Sequence, residues 1–303
     1  MASTSRNSTA AITTTNATTM PAISKIAIVG CGTMGKAILT GLLESGLLVE
    51  RNVAVTACVT SDESAAALRA QYGTGIQVYC GSNVAACREA QVVILCTKPQ
   101  VAQSVLVEED GMHEALEGKL LISLLAGVRI AQLQTWVPAS THVIRAMPNT
   151  PCRIREGMTV LSCRATVPSE LRSFASTIFA TLGRCRFLDE KHMDPVTALS
   201  GSGPAFACVV LESLADGGVM MGLPRDVAIE LAAQALVGAA RLVLATGNHP
   251  AMVKDSVTTP GGCTIAGLLT MEDGKIRSTL ARTIQEASTV ASTLGNRQDA
   301  GKK

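Results

Sequence analysis

Three glycines, Gly30, Gly32 and Gly35, stand where a short apolar run, Ile26-Ala27-Ile28-Val29, gives way to a helical stretch opening Lys36-Ala37-Ile38-Leu39. In that context G-x-G-x-x-G is a site for a pyrophosphate. Gly30 permits the tight turn, Gly32 lets the phosphates reach the backbone, and Gly35 lets the helix pack on the strand. Cys31, Thr33 and Met34 complete the loop, and the helix start turns free N–H groups toward the anion. About 20 residues further on, a site for an unphosphorylated ribose usually carries Asp or Glu. Here the second apolar run ends Val55-Thr56-Ala57-Cys58-Val59 and continues Thr60-Ser61, with no acid and with two hydroxyls able to donate to a 2′-phosphate. NADPH is therefore favoured, with NADH as the alternative. Ser61 also reads as the cap of a helix opening at Asp62.

A second group of interest is Thr259-Pro260-Gly261-Gly262-Cys263-Thr264. As a helix opening it would offer unobstructed N–H groups to a carboxylate, by the same physics that binds phosphate. It reads equally as a plain turn between helices. The four histidines, at 113, 142, 192 and 249, have no His or Cys partner at metal-ligand spacing, and no metal is expected. No Ser-His-Asp set or carboxylate pair presents itself. His192 and His249 flank helix boundaries and receive no catalytic task.

The elements that must position these residues divide the chain. Short β-branched runs at 25–29, 53–58, 92–96, 120–124, 143–146 and 158–161, with a weaker one at 77–79, alternate with helical stretches. That is the pattern of βα units around a parallel sheet. Beyond Asp194 the segments 194–221, 224–245 and 275–294 are rich in Ala, Leu and Met, with apolar residues three and four apart, and predict an all-helical region. Asp194-Pro195 reads as a helix start with Asp as cap and Pro in the first turn. Met220 and Met221 are expected to fill gaps in the core or an interface. So small a helical unit has surplus apolar surface, which points to cover by another subunit. The expected division is a disordered leader at 1–23, a nucleotide-binding domain at 24–190, an all-helical domain at 191–297 and a tail at 298–303.

Composition limits the function classes. The chain has 303 residues, 47% of them apolar and only 2% aromatic, with a formal charge of +2 and no Lys/Arg-rich block. Nucleic acid is not an expected partner. The ten Cys are scattered without a C-x-x-C pair, which reads as small buried hydrophobes in a reducing compartment. Apolar runs such as 120–128 are too short to span a bilayer, so a soluble cytoplasmic protein is expected. The Ser/Thr-rich first residues carry only Arg6 as a charge, and an organellar address is the alternative reading of that leader. Asn7 and Asn16 lie in N-x-[ST] sequons, which stay unmodified without a secretory signal.

Further segments resemble one family. Cys96-Thr97-Lys98-Pro99, Ala126-Gly127-Val128, Val143-Ile144-Arg145-Ala146-Met147-Pro148-Asn149-Thr150-Pro151, Leu199-Ser200-Gly201-Ser202-Gly203-Pro204-Ala205 and Lys254-Asp255-Ser256-Val257-Thr258-Thr259-Pro260-Gly261-Gly262-Cys263-Thr264-Ile265 are similar to segments of pyrroline-5-carboxylate reductases. The resemblance runs from about Ser24 to Leu294. It implies an α/β fold, with an N-terminal Rossmann domain built on a parallel sheet followed by an all-helical dimerisation domain. It also implies a homodimer or higher homo-oligomer and NAD(P)H-dependent reduction of 1-pyrroline-5-carboxylate to proline.

By the same resemblance Gly30 to Gly35 hold the pyrophosphate, and Thr60, Ser61 and Asn83 lie near the adenosine ribose and its phosphate. Cys96, Thr97, Lys98 and Pro99, with Ala126 and Gly127, line the nicotinamide half. Asn83 reads equally as a helix-start residue beside Ser82, and Lys98 as a cofactor contact ahead of a catalytic acid. Arg145 is a candidate loop anchor. Ser200 and Ser202 either approach the nicotinamide or serve a cap or helix crossing. The adjoining family motif turns 259–264 into a carboxylate cradle, with Thr259, Gly261, Gly262, Cys263 and Thr264 at the substrate and Thr264 as the candidate proton donor. Rival readings are a related imine reductase, a β-hydroxyacid dehydrogenase, or a non-catalytic dinucleotide-binding regulator. A hydroxyacid enzyme commonly needs a Lys on the interdomain helix, and 194–221 contains neither Lys nor His.

Overall fold

The computed structural model describes residues 23–294; the leader before Ile23, with its sequons, and the tail at 298–303 lie outside the described residues. The first half alternates as expected: β1 (Lys25–Val29), α1 (Thr33–Glu44), α2 (Leu47–Glu50), β2 (Ala54–Val59), α3 (Asp62–Tyr72), β3 (Gln77–Cys80), α4 (Asn83–Glu89) and β4 (Val92–Leu95). Next come α5 (Pro99–Gln103), a π-helical turn (Ser104–Glu108), α6 (Met112–Ala115), β5 (Leu120–Ser123), α7 (Ile130–Trp136) and β6 (His142–Met147). A 3-10 turn (Thr150–Ile154), β7 (Gly157–Cys163), α8 (Ser169–Ala180) and β8 (Gly183–Phe187) complete the sheet region.

The strands form one sheet in the order β3-β2-β1-β4-β5-β6-β7-β8. From β1 the chain builds outward through β2 and β3, then crosses back to β4 on the other side of β1. That reversal opens a crevice beyond the carboxyl ends of β1 and β4, where open α/β sheets take ligands. Both faces are buried because side chains alternate along each strand. Ile26 and Ile28 join Leu39, Leu42 and Phe179 on one face, and Ala27 and Val29 join Leu116, Leu133 and Trp136 on the other. Each fully buried Ile or Leu stabilises the fold by about 1.5–3 kcal/mol.

Two features depart from a purely parallel sheet. Strand β7 runs antiparallel to β6, and β8 runs parallel to β7 at the sheet edge. No strand was expected over 183–187, because Arg184 and Arg186 interrupt any apolar run; both face solvent, while Cys185 and Phe187 turn inward. Charge on an edge strand discourages pairing with another chain.

From Glu190 every element is helical. A 3-10 turn (Glu190–His192) leads into α9 (Met193–Val196), a π-helical turn (Thr197–Gly201) and α10 (Gly203–Met220). The chain then continues through α11 (Arg225–Thr246), α12 (Pro250–Ser256), α13 (Cys263–Asp273) and α14 (Ile276–Leu294). Helices α10 and α11 meet through small residues: Ala215 packs with Ala228 and Ala232, and a Cβ on Gly218 would lie 3.2 Å from the Ala228 Cβ. Their outward faces are bare. Met220 and Met221 are 81% and 80% exposed, and Val209, Leu231 and Leu244 are exposed as well. The two methionines therefore fill no gap in the core of a single chain. Among the cysteines, Cys208 and Cys263 are exposed, against the expectation that the thiols are buried.

Glu190–Met220 and Arg225–Thr246 are long and apolar enough to cross a membrane by length and composition. The expectation from run length is corrected on that point. Interspersed Ala and Gly break up the apolar runs yet keep the mean hydropathy of each helix high.

The junction between the halves is polar and buried. Arg145 on β6 is 2% exposed; its Nη1 lies 3.4 Å from Glu190 Oε1 and its Nη2 3.9 Å from Asp194 Oδ1. Burial pushes the guanidinium below its ordinary pKa, and the two carboxylates draw it back. Asp194 is consequently not a helix cap. It lies inside α9, with His192 at the cap position, and its carboxylate turns toward the arginine. Glu190 Oε1 also accepts the Ile130 N–H at 2.7 Å, satisfying an otherwise free group at the start of α7. Losing Glu190 leaves the buried guanidinium undercompensated, whereas losing Arg145 leaves two part-exposed carboxylates that water can solvate. Glu190→Ala should lower stability by about 3 kcal/mol, and Arg145→Met by roughly half as much or less. Urea unfolding followed by circular dichroism measures both, and equal losses would contradict this account of the junction.

Candidate active site

The expected cofactor residues gather on one edge of the sheet. Gly30–Gly35 follow β1, Thr60 and Ser61 follow β2, Asn83 follows β3, Cys96–Pro99 follow β4, and Ala126 and Gly127 follow β5. The three glycines do three different things. Gly30 has φ +82, and a Cβ there would meet the Thr97 backbone nitrogen at 2.8 Å, so two loops can close on each other only at a glycine. Gly35 packs against the Gly30 carbonyl oxygen, 3.0 Å from where its Cβ would be. A Cβ on Gly32 would meet nothing within 4 Å. Its bareness serves no packing purpose in the protein and leaves room for a ligand.

Gly32 is also the cap position of α1, with no side-chain cap. The first N–H groups of that helix consequently lack an intrahelical partner and face the crevice with the positive end of the helix dipole. Cys31 is fixed by its N–H, which donates to the Cys58 carbonyl at 2.8 Å. Burial pushes its thiol up to about 11, with Lys36 opposing, so the sulfur is a neutral packing group. These residues fit a dinucleotide pyrophosphate.

On the adenosine side, Thr60 and Ser61 are exposed. The Ser61 Oγ accepts from the Ser64 N–H at 3.3 Å, so the capping role is real. Arg69 is turned away, its Nη2 donating to the Val78 carbonyl at 3.2 Å. Asn83 is the first residue of α4, and its Nδ2 donates to Glu109 Oε1 at 2.7 Å. On the other side, Lys98 is exposed at the cap position of α5 with Pro99 in the first turn. Ala126 packs with Met147, Val160 and Met193, and Gly127 has φ +78. The Asn149 Nδ2 donates to the Ser200 carbonyl at 3.2 Å and its Oδ1 accepts from the Met158 N–H, tying β6, β7 and the π-helical turn together. The Thr97 Oγ1 and Ser200 Oγ are buried with no hydrogen-bond partner.

The second cluster is built as a helix opening. Gly262 occupies the cap position of α13 and Cys263 its first turn. Gly261 has φ +69 and open space around it, and a Cβ on Gly262 would strike the Thr259 Oγ1 at 2.4 Å. The turn is closed by the Gly262 N–H, which donates to the Thr259 carbonyl at 3.1 Å. Within one chain α13 packs principally on α14, and α1 on the turn at Thr150–Ile154. The two helix openings are not neighbours through that packing. Among the described residues no cluster of three or more His, Cys, Asp or Glu could hold a metal.

Comparison with known proteins decides the family. Residues 190–294 match the family model for pyrroline-5-carboxylate reductase dimerisation, and residues 25–127 match that for NADP oxidoreductase, coenzyme F420-dependent. The pyrroline-5-carboxylate reductase of Schizosaccharomyces pombe is 45% identical over 283 residues, covering 90% of this chain and 100% of the relative. The chain belongs to the pyrroline-5-carboxylate reductase family. The enzyme of that name from Arabidopsis thaliana is 37% identical over 264 residues, covering 87% of this chain and 93% of its own. Two solved pyrroline carboxylate reductases have the same fold. That of Coxiella burnetii has a TM-score of 0.82 at 29% identity, covering 90% of this chain and 98% of its own. That of Plasmodium falciparum, with NADP bound, has a TM-score of 0.77 at 28% identity over the same shares. The dimerisation match spans α9 to α14, the region whose apolar faces are bare in a single chain.

Glu109, Glu190 and Asn149 are side chains whose positions the sequence did not disclose. Their partners lie 26, 60 and 51 residues away in the chain, and no local motif encodes such pairings. The glycine geometry separates binding from folding. Gly32→Val should leave the melting temperature within about 2 °C of the parent and weaken NADPH binding at least about tenfold, because the new methyls enter ligand space. Gly30→Val should lower the melting temperature, because the residue would collide with Thr97 at an unfavourable φ. Thermal denaturation and cofactor titration of both variants check this; an undisturbed affinity in Gly32→Val would refute the placement.

Proposed function

We propose that this chain reduces 1-pyrroline-5-carboxylate, a cyclic imine carrying a carboxylate, to L-proline, with NADPH preferred over NADH. The observation that carries the reading is the bare backbone of Gly32 at the start of α1, in a chain whose family acts on this imine. The reduced nicotinamide supplies the hydride when bound. Gly30–Gly35 hold the pyrophosphate, Thr60, Ser61 and Asn83 hold the adenosine ribose and its phosphate, and Cys96–Pro99 with Ala126 and Gly127 line the nicotinamide. The missing acid after β2, with exposed Thr60 and Ser61 in its place, supports the preference for the 2′-phosphate.

The substrate carboxylate binds the free N–H groups of the first turn of α13, from Cys263 and Thr264, the Gly262 N–H being held by the Thr259 carbonyl. The α13 dipole and the absence of side chains at Gly261 and Gly262 favour an anion there. Thr264 then stands in the first turn, and its hydroxyl donates a hydrogen bond to the imine nitrogen. That polarises the C=N bond so that its carbon accepts the hydride while the nitrogen takes the Thr264 hydroxyl proton, and solvent reprotonates the threonine. The cradle of one subunit serves the nucleotide-binding half of another in a homodimer, and the apolar faces of α10 and α11 supply the contact. We assign residues 24–190 to the nucleotide-binding domain, 191–297 to the dimerisation and substrate domain, and the protein to the cytoplasm.

Purified protein mixed with NADPH and 1-pyrroline-5-carboxylate should oxidise the cofactor, followed by its absorbance, with a higher kcat/KM than with NADH. Thr264→Ala should lower kcat about 100-fold with unchanged cofactor KM. If no cyclic imine is reduced the activity is wrong, and if Thr264→Ala turns over like the parent the threonine has no part in it.

A further inference from the structure

The chain from the π-helical turn Ser104–Glu108 to α6 returns to the carboxyl edge of the sheet beside α4. The Glu109 N–H closes that turn onto the Ser104 carbonyl at 3.2 Å, and the Met112 N–H donates to the Glu109 carbonyl at 3.1 Å. Gly111, with φ +79, lies against Arg88 and Val84 of α4. π-Helical turns are rare and recur near functional sites. Here the turn delivers one side chain: the half-buried Glu109 carboxylate, on the Asn83 Nδ2 at 2.7 Å. A carboxylate accepts and does not donate, so the amide facing it must present its nitrogen, and Oδ1 points elsewhere.

Asn83 opens α4, directly after β3 and beside the end of β2. The same carboxylate acts through space on the buried thiols of Cys58 in β2 and Cys87 in α4, raising both. Burial pushes the Cys87 thiol up to about 12, with Lys119 opposing and Glu109 adding to the rise. Glu109 thus places a negative charge at the adenosine side of the crevice, although it lies far in sequence from the position after β2 where such an acid is normally sought.

We propose that Glu109 is a positioning and coenzyme-selecting residue: its carboxylate fixes the Asn83 amide so that Oδ1 accepts from a ribose hydroxyl, and its charge restrains the preference for a 2′-phosphate. A ribose hydroxyl donates to an acceptor, whereas a phosphate is repelled by a fixed negative charge. The inference rests on the reading above that the adenosine ribose lies beyond β2 and β3. It adds a residue that works against the hydroxyls of Thr60 and Ser61 and sets how far the pocket favours NADPH.

The test uses the full chain and measures KM for NADPH and NADH at saturating imine, at low and at physiological ionic strength. Glu109→Gln keeps an acceptor for Asn83 and removes the charge. At low salt it should lower KM for NADPH about fivefold and change KM for NADH less than twofold, and the gain should shrink as salt is added. Glu109→Ala should move the NADPH-to-NADH ratio the same way while raising both KM values, because the Asn83 amide is freed. Asn83→Ala should raise both by about fivefold to tenfold through loss of the ribose contact. If Asn83→Ala raises both but neither Glu109 variant moves the ratio, the ribose is where we place it and the role of Glu109 is overturned. If Asn83→Ala leaves both unchanged, the ribose lies elsewhere and the inference falls with its placement.

Discussion

A guanidinium enclosed between two carboxylates holds the two halves of this protein in one relation. Taking Arg145 out of water is expensive, and Glu190 and Asp194 offset that cost in part, its Nε and Nη2 being buried without a hydrogen-bond partner. Those acids belong to the first turns of the helical region, so the arginine on β6 dictates where that region begins. Glu190 has a second duty at the Ile130 N–H, which fixes the start of α7 and with it the preceding Ala126-Gly127 loop. The Asn149 amide makes a parallel stitch from the end of β6 to the Ser200 carbonyl. The side of the crevice at Ala126 and Gly127 is therefore shaped by the domain junction as much as by the sheet.

The other end of the crevice rests on close packing of backbones. The loops after β1 and β4 touch at Gly30 and Thr97, with the cap of α1 left bare between them. The result is a cleft whose anion-binding face is made of backbone. Backbone N–H groups have no pKa in the working range and no rotamers to order, so they supply positive potential at little entropic loss. Side chains are then left for discrimination, the task proposed above for Thr60, Ser61, Asn83 and Glu109.

Much of this was legible from residue types alone. The glycine spacing predicted the turn because each position has a separate steric demand, and β1 follows the apolar run at 25–29. Strands β2 and β4 to β7 stand within a few residues of their expected positions because most of their residues are buried and the runs are nearly continuous, while the weaker run at 77–79 marks the edge strand β3, which has no buried residue. Strand β8 was not legible: half its side chains face water, and two are arginines. The direction of β7 was hidden too, since hydropathy carries no sense of chain direction. Asp194 followed the local rule for a cap and was overruled by a distant arginine. Long-range pairs such as Asn83–Glu109 leave no trace in spacing. The cradle at 259–264 is the opposite case, where local sequence gave the helix opening and nothing local says what faces it.

The helical half completes itself poorly within one chain. Its helices pack through alanine and glycine, and the larger apolar side chains face outward. Order of synthesis then matters. The sheet region leaves the ribosome first, because β1 to β8 precede Glu190 in the chain, and the burial of Arg145 and of Met147 and Val160 waits for Glu190, Met193 and Asp194. The helices with bare apolar faces emerge last, so the interval before those faces are covered is when the chain is most open to aggregation.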